Sequence, residues 1–267
     1  MPELPEVQTV LRGVVKELEG KEIRGLDCFY PGTVVYDPRL PEKPFPARLE
    51  GHERRGKYMI LHLSGGVSVI IHLRMTGKLV TERAMQGDSP HERACFLLSG
   101  REKLHFIDIR TFGKIILCRT ENVAEYLPKL GVEPLSDEFG AAKLLQILKG
   151  RKTPVKNALL DQSLIAGLGN IYACEILYRA GIHPEKPAGD ISPAKLKKLA
   201  AETKAVLREA ISMNGTSISD FRRVDDKTGQ FQHFLRVYQK EICPKGHKVS
   251  KIRQGGRGTY FCPVCQK

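Results

Sequence analysis

The tail of the chain leaves the fewest folding options. Cys243-Pro244-Lys245-Gly246-His247 is followed, after fourteen residues, by Cys262-Pro263-Val264-Cys265. The second group is a C-x2-C knuckle and the first offers Cys-x3-His. Zn2+ takes four such ligands in a tetrahedron. A terminal module this short has little core of its own, so bound metal must supply its folding energy. One structural Zn2+ on Cys243, His247, Cys262 and Cys265 is therefore expected. The intervening loop holds Lys248, Lys251, Arg253 and Arg257, with Gly255, Gly256 and Gly258 around the last. A β-hairpin carrying Arg257 towards a polyanion is one reading of it; a solvated basic loop is the plainer one.

The other cysteines fit the same picture. There are seven in all, an odd number. No basic start runs into an apolar stretch as in a signal peptide, and no apolar run is long enough for a membrane span. A reduced, cytoplasmic protein is expected, its cysteines serving as core residues or metal ligands rather than disulfides. Lys plus Arg outnumber Asp plus Glu by 43 to 30, a formal charge of +13. A pI near 9.4 makes nucleic acid the first partner to consider.

Upstream of the tail the hydrophobic period changes twice. Val7, Val10, Leu11, Val14, Val15 and Leu18 fall at helical spacing, and Gly20 is a natural stop. From about residue 22 to 120 the pattern is short strands. Tyr58–Leu63, Val67–Ile71, Ala94–Leu98 and Lys114–Leu117 are rich in β-formers, with turns such as Ser64-Gly65-Gly66 between them. Many short strands at close spacing suggest an antiparallel sandwich. Leu130-Gly131-Val132-Glu133-Pro134-Leu135 reads as a linker, and helical patterns follow over 138–149 and 192–212.

Between those helices, two apolar segments flank Gly167-Leu168-Gly169-Asn170. The glycines permit a tight turn, and Asn170 is expected to cap the next helix. A helix start approached by glycine backbone suits a phosphate, to which Lys156 would add charge. A purely structural corner is an equal reading.

Three basic spots stand in the strand half: Arg54-Arg55-Gly56-Lys57, His72-Leu73-Arg74-Met75 and Asp108-Ile109-Arg110-Thr111-Phe112-Gly113. Met75 and Phe112, if exposed beside cations, suit wedges that enter base stacks. Ordinary turns with buried apolar side chains are the simpler reading of each.

The start carries the chemistry. Pro2 is a small residue behind the initiator Met, so removal of Met1 would leave a secondary amine beside Glu3. An α-amino group titrates near 7.7–8.0, so much of it is available as a nucleophile. Attack on a carbonyl-like carbon gives an iminium, a permanent electron sink that acidifies the adjacent C–H. The neighbouring carboxylate can move protons in the same reaction.

Together these residues resemble the formamidopyrimidine-DNA glycosylase family of bacterial base-excision repair enzymes. The resemblance rests on Met-Pro-Glu-Leu-Pro-Glu-Val at the start, the three basic spots, Leu159-Leu160-Asp161-Gln162, Gly167-Leu168-Gly169-Asn170-Ile171-Tyr172 and Gly255-Gly256-Arg257-Gly258-Thr259. It implies an α+β fold: an N-terminal antiparallel β-sandwich with flanking helices, then a helix-two-turns-helix domain and a zinc-finger hairpin, with DNA in the cleft between. The limits expected are 1–131, 132–236 and 237–267. It also implies excision of oxidised purines such as 8-oxoguanine and formamidopyrimidines, then strand cleavage by β,δ-elimination.

On this resemblance Pro2, Glu3 and Lys57 take the catalytic roles. Met75, Arg110 and Phe112 would fill the gap left by an everted base. His72, Lys156, Asn170, Tyr172 and Arg257 would hold the DNA. The implied partner is duplex DNA with a damaged base, and the implied state a monomer. An endonuclease VIII-like enzyme for oxidised pyrimidines would start Pro-Glu-Gly-Pro, where this chain has Pro-Glu-Leu-Pro. A non-catalytic DNA-binding relative could dispense with Pro2, Glu3 or Lys57, and all three are present. Two departures stand out. The family's finger has two C-x2-C pairs, where His247 replaces one Cys here. Cys174 sits where the family has an acidic residue before Glu175.

Overall fold

The structure, a computed structural model, describes residues 1–218 and 221–267. It divides into two compact units. The first comprises Met1–Pro128 and Met213–Gln230, the second Lys129–Ser212 and Phe231–Lys267.

The first unit begins with helix α1 (Leu4–Leu18), whose Leu4, Val7, Val10, Leu11, Val14 and Leu18 are buried as one stripe. Pro5 sits in its first turn, where a missing N–H costs nothing. Among the described residues nine strands follow: β1 (Glu22–Cys28), β2 (Val34–Tyr36), β3 (Ala47–Arg55), β4 (Tyr58–Leu63), β5 (Val67–His72), β6 (Lys78–Thr81), β7 (Glu92–Leu98), β8 (Lys103–Ile107) and β9 (Lys114–Arg119). They are hydrogen-bonded in the order β2-β9-β5-β4-β3-β1-β7-β8-β6. The link between β3 and β1 is short, Glu22 and Ile23 against Arg48 and Ala47, so the sheet folds there into two layers. Met59, Leu61, Val69, Ile71 and Leu117 from one layer share a core with Leu79, Phe96, Leu98, Leu104 and Phe106 from the other, and the α1 stripe joins it. The antiparallel expectation meets one exception. β2 runs parallel to β9, with Val34 opposite Ile115.

The segment 213–230 belongs to this unit although it lies far along the chain. Val224 packs on Gly13 so closely that a Cβ there would lie 2.5 Å from its Cγ2. Thr81 N–H donates to Val224 O, and Lys78 pairs with Asp226 at 2.9 Å.

The second unit contains α2 (Ala141–Leu148), α3 (Val155–Leu160), α4 (Asn170–Ala180), α5 (Pro193–Ser212) and a hairpin of β10 (Ser250–Gln254) and β11 (Arg257–Phe261). α4 and α5 pack together and are tied by a bidentate Arg179–Glu209 pair, at 2.8 and 2.6 Å. Residues 130–135 prove more than a linker. Gly131 N–H donates to Gln162 O and Val132 N–H to Leu164 O, so this strand-like stretch braces the turn after α3. A Cβ on Gly131 would meet the Leu164 carbonyl at 2.1 Å, which only glycine avoids.

Candidate functional site

In the first unit the start of the chain is held by carboxylates. Glu3 caps α1, with Pro2 and Glu3 both buried. Glu6, one turn on, accepts the Glu3 N–H on Oε2 at 2.8 Å, part of a reciprocal capping box. Its other oxygen accepts Thr216 N–H at 2.7 Å. One buried carboxylate thus fixes both the backbone beside Pro2 and the segment after α5. Gly215 is needed for that approach, since a Cβ there would lie 2.8 Å from Glu6 Oε1. In the sequence Glu6 is one residue of the opening motif, and its S/T-x-x-E-like spacing from the helix cap is the signal of this role.

Lys57 follows the β3–β4 turn, where Gly56 has φ +57. Its side chain is buried. Arg54 on the preceding strand donates to Gln8 of α1 at 3.1 Å and to Gly56 O at 2.8 Å. That turn is therefore fastened to the first helix.

His72 ends β5, is buried, and stacks edge-on against Tyr58 at 4.4 Å. Burial, with the Arg74 and Lys57 charges, pushes its pKa down to about 3. Its Nδ1 accepts the Arg74 N–H at 2.9 Å, so the neutral ring carries its hydrogen on Nε2, a donor suited to an anionic oxygen.

Beyond it, two loops are tied by one buried acid. Asp108 Oδ1 accepts Thr76 Oγ1 and, at 3.2 Å, Arg110 N–H; Oδ2 accepts Gly113 N–H at 2.7 Å. Met75 stays 40% exposed and Phe112 50%, so neither is the buried apolar side chain of the plainer reading. Arg110 is exposed too, its guanidinium 4.9 Å from the Phe112 ring centre. Such a cation on an aromatic face is pre-oriented at modest gain. Gly113 is forced, because a Cβ would lie 2.4 Å from the Phe106 ring.

The second unit handles its polar residues differently. Lys156 on α3 is fully buried, not presented as a surface charge. Its ammonium donates to Asn170 Oδ1 at 2.6 Å and to Thr259 Oγ1 at 2.7 Å. Asn170 in turn donates to Gly258 O at 2.9 Å, joining the start of α4 to the hairpin. The helix cap is Gly169 rather than Asn170, whose side chain is committed to this network. Tyr172 is also fully buried, its ring 5.9 Å from that of Phe231, so it packs the unit's core. The α3–α4 turn is shaped by Gln162, which donates to Leu160 O and Leu168 O and accepts Gly167 N–H.

The hairpin turns through Gly255 and Gly256, both at positive φ (+55 and +76), as a two-residue type I′ connection requires. Arg257, opposite Gln254, is exposed at the tip. Beneath it Cys243, His247, Cys262 and Cys265 bring one ligand atom each within 4.8 Å of the others. His247 Nδ1 faces Cys243 Sγ at 3.7 Å and Cys265 Sγ at 3.3 Å. Cys265 N–H points at Cys262 Sγ at 3.4 Å, as in a metal knuckle. Burial pushes the Cys243 thiol up, but the Lys245 and His247 backbone and the Tyr178 and Cys262 side chains outweigh it and bring it down to about 6. The donor set and spacing fit one structural zinc.

Cys174 packs with Tyr178, Val237, Cys243 and Cys262 in an apolar cluster below this site. Neighbouring Glu175, fully buried, accepts the N–H groups of Arg236, Val237 and Tyr238 at 2.8–2.9 Å. It anchors the turn leading into the metal module. Nothing in its local spacing singled it out.

Three family models match the chain: the formamidopyrimidine-DNA glycosylase N-terminal domain over residues 1–115, the formamidopyrimidine-DNA glycosylase H2TH domain over 130–222, and the zinc finger found in FPG and IleRS over 246–267. Formamidopyrimidine-DNA glycosylases of Gluconobacter oxydans and Desulfitobacterium hafniense are 41% and 42% identical to it, each over the whole of both chains. A Lactococcus lactis FPG mutant in complex with Fapy-dG containing DNA superposes with a TM-score of 0.91 at 35% identity, covering 100% of both chains. The MutM (FPG) protein of Thermus thermophilus gives 0.88 at 37% identity, covering 99% of this chain and 98% of that one.

Proposed function

The chain belongs to the formamidopyrimidine-DNA glycosylase family, and on that premise we propose that it excises oxidised purines from duplex DNA and cleaves the abasic strand. The bases removed are 8-oxoguanine and formamidopyrimidines. With Met1 removed, the Pro2 nitrogen attacks C1′ of an everted damaged nucleotide and the base departs. Glu3 protonates the sugar ring oxygen as the ring opens. The iminium acidifies the C2′ hydrogen, and β- then δ-elimination expels the two flanking phosphates. Lys57 and His72 hold the backbone beside the lesion, His72 as a neutral Nε2–H donor.

Met75, Arg110 and Phe112 enter the gap left by the base, with Arg110 facing the orphaned partner. Arg257 and Asn170 grip phosphates. Lys156, being buried, acts through Asn170 and Thr259 as a positioning residue, and Tyr172 through packing. Zinc held by Cys243, His247, Cys262 and Cys265 keeps the hairpin folded; the chemistry is carried by Pro2 and Glu3.

The observation that supports this reading is the buried Glu3–Glu6 capping box, which holds Pro2 and Glu3 side by side at the start of a docked helix, where removal of Met1 would leave a secondary amine. Single-turnover excision of 8-oxoguanine opposite cytosine tests it. Glu3→Gln is expected to bind the duplex normally and lose excision by about 100-fold or more, the scale of a lost general acid. Full excision by that variant removes Glu3 from the mechanism. A preference for oxidised pyrimidines over 8-oxoguanine in the same assay would favour endonuclease VIII-type specificity.

A further inference from the structure

A second Cys/His cluster lies in the sheet of the first unit. Cys95 on β7 and His105 on β8 are cross-strand partners. Strict alternation would put Glu92 on the face opposite Cys95. A bulge between Glu92 and Ala94 resets it: Glu92 pairs with Ile107, which shares a face with His105. All three side chains therefore converge on the side away from Phe96 and Phe106. His105 Nδ1 lies 2.6 Å from Glu92 Oε1 and 3.9 Å from Cys95 Sγ, and the three ligand atoms are within 4.8 Å of one another.

A second observation points the same way. Glu82, from the turn after β6, sits 3.0 Å from His105 Nε2. A carboxylate on the far nitrogen of a metal-binding imidazole fixes its tautomer and raises its basicity, leaving Nδ1 as the ligand atom. The cluster also lines a cavity of about 200 Å³, together with Met85 and Asp88, so an ion can enter and water can complete its shell.

We propose that Glu92, Cys95 and His105 form a second metal site, distinct from the finger, for a divalent transition ion of the zinc type. A thiolate, an imidazole and a carboxylate suit such a borderline cation. Without the ion, His105 bridges the Glu92 and Glu82 carboxylates beside the Cys95 thiol. Loading needs the thiolate, so it releases the Cys95 thiol proton to solvent. The ion joins the β7–β8 pair at its bulge, and Glu82 links that pair to the turn after β6.

The test is metal content of the full-length protein equilibrated in zinc-buffered solution, its finger loaded throughout. Wild type is expected to hold one equivalent more than Cys95→Ser and one more than Glu92→Gln. Cobalt offered to the zinc-loaded wild type should add a thiolate-to-cobalt charge-transfer band in the near ultraviolet, absent from Cys95→Ser. This cobalt reading on wild type stands even if a variant folds poorly. Equal zinc in wild type and both variants, with no new cobalt band, overturns the proposal and leaves His105 as a structural link between Glu92 and Glu82.

Discussion

The two ends of this chain are both short segments that must be held still, and they are held by different physics. At the start, Glu3 is fixed by the Glu6 carboxylate, on a helix docked by six buried apolar side chains. At the end, the finger has a small cluster of Cys174, Tyr178, Val237, Cys243 and Cys262, and four metal-ligating side chains in place of a core. The first end borrows its rigidity from a large unit. The second depends on an ion, with Glu175 securing the chain just before it. A reactive amine needs a fixed position but an open face, which a metal would block. A basic hairpin needs only to be folded and presented, which a metal does cheaply.

The difference is sharpest under metal removal. Chelation, or Cys262→Ala, is expected to unfold the finger outright, since a structural zinc contributes on the order of 10 kcal/mol. Hydrogen exchange should show protection lost across β10 and β11 while β4, β5 and α1 remain protected. Equal loss in both units would erase the distinction.

Glu6→Ala should act in the opposite place. It leaves the buried Glu3 and Thr216 N–H groups without their acceptor, at a cost of about 2–4 kcal/mol. Excision should fall by about 10-fold or more as the amine loses its position, while zinc content stays that of wild type. Unchanged excision would show that the capping box is ornamental.

A third effect is one of pH. His72 binds its proton at about 3 in the folded protein against an ordinary 6.5, so the unfolded chain takes up more protons between those values. Stability of the first unit is therefore expected to fall as pH drops from about 6.5 towards 3, by up to roughly 4 kcal/mol, with no such loss above 6.5. Denaturation of wild type and His72→Gln across that range checks it, the variant giving the flatter curve.

The smallest expected effect is at the hairpin tip. Arg257→Ala should weaken duplex binding by about 10-fold and lower the salt slope by about 0.9, as loss of one phosphate contact requires. An unaltered slope would take Arg257 off the phosphate.

What the sequence disclosed and what it hid divide along the same physical line. Local period and local chelation were legible: the α1 stripe, the strand Tyr58–Leu63, and the Cys243–His247 and Cys262–Cys265 spacings all reflect neighbours within a few residues. Contacts between distant segments were not. Val224 against Gly13, Glu6 on Thr216 N–H, and Gly131 under Leu164 have no local pattern that announces them. Lys156 is the sharpest case. A lysine near a glycine turn reads as a surface charge, yet its partners Asn170 and Thr259 come from further along the chain and draw it inside. Burial of an ammonium is tolerable only with such partners, and they cannot be seen from its own neighbourhood. Met75 and Phe112 were recognisable as wedges or core residues, and only the Asp108 clamp, seen in three dimensions, explains how their loops stay exposed and ordered.

The central claim is that the nitrogen of Pro2 makes the covalent bond to DNA. Borohydride reduction of the protein on duplex containing 8-oxoguanine, followed by peptide mass spectrometry of the cross-link, tests it directly. The account predicts an adduct on a peptide that begins at Pro2, with Met1 gone, and its loss in Pro2→Gly. An adduct on Lys57 or another lysine, or full strand cleavage by molecules that all retain Met1, would contradict it.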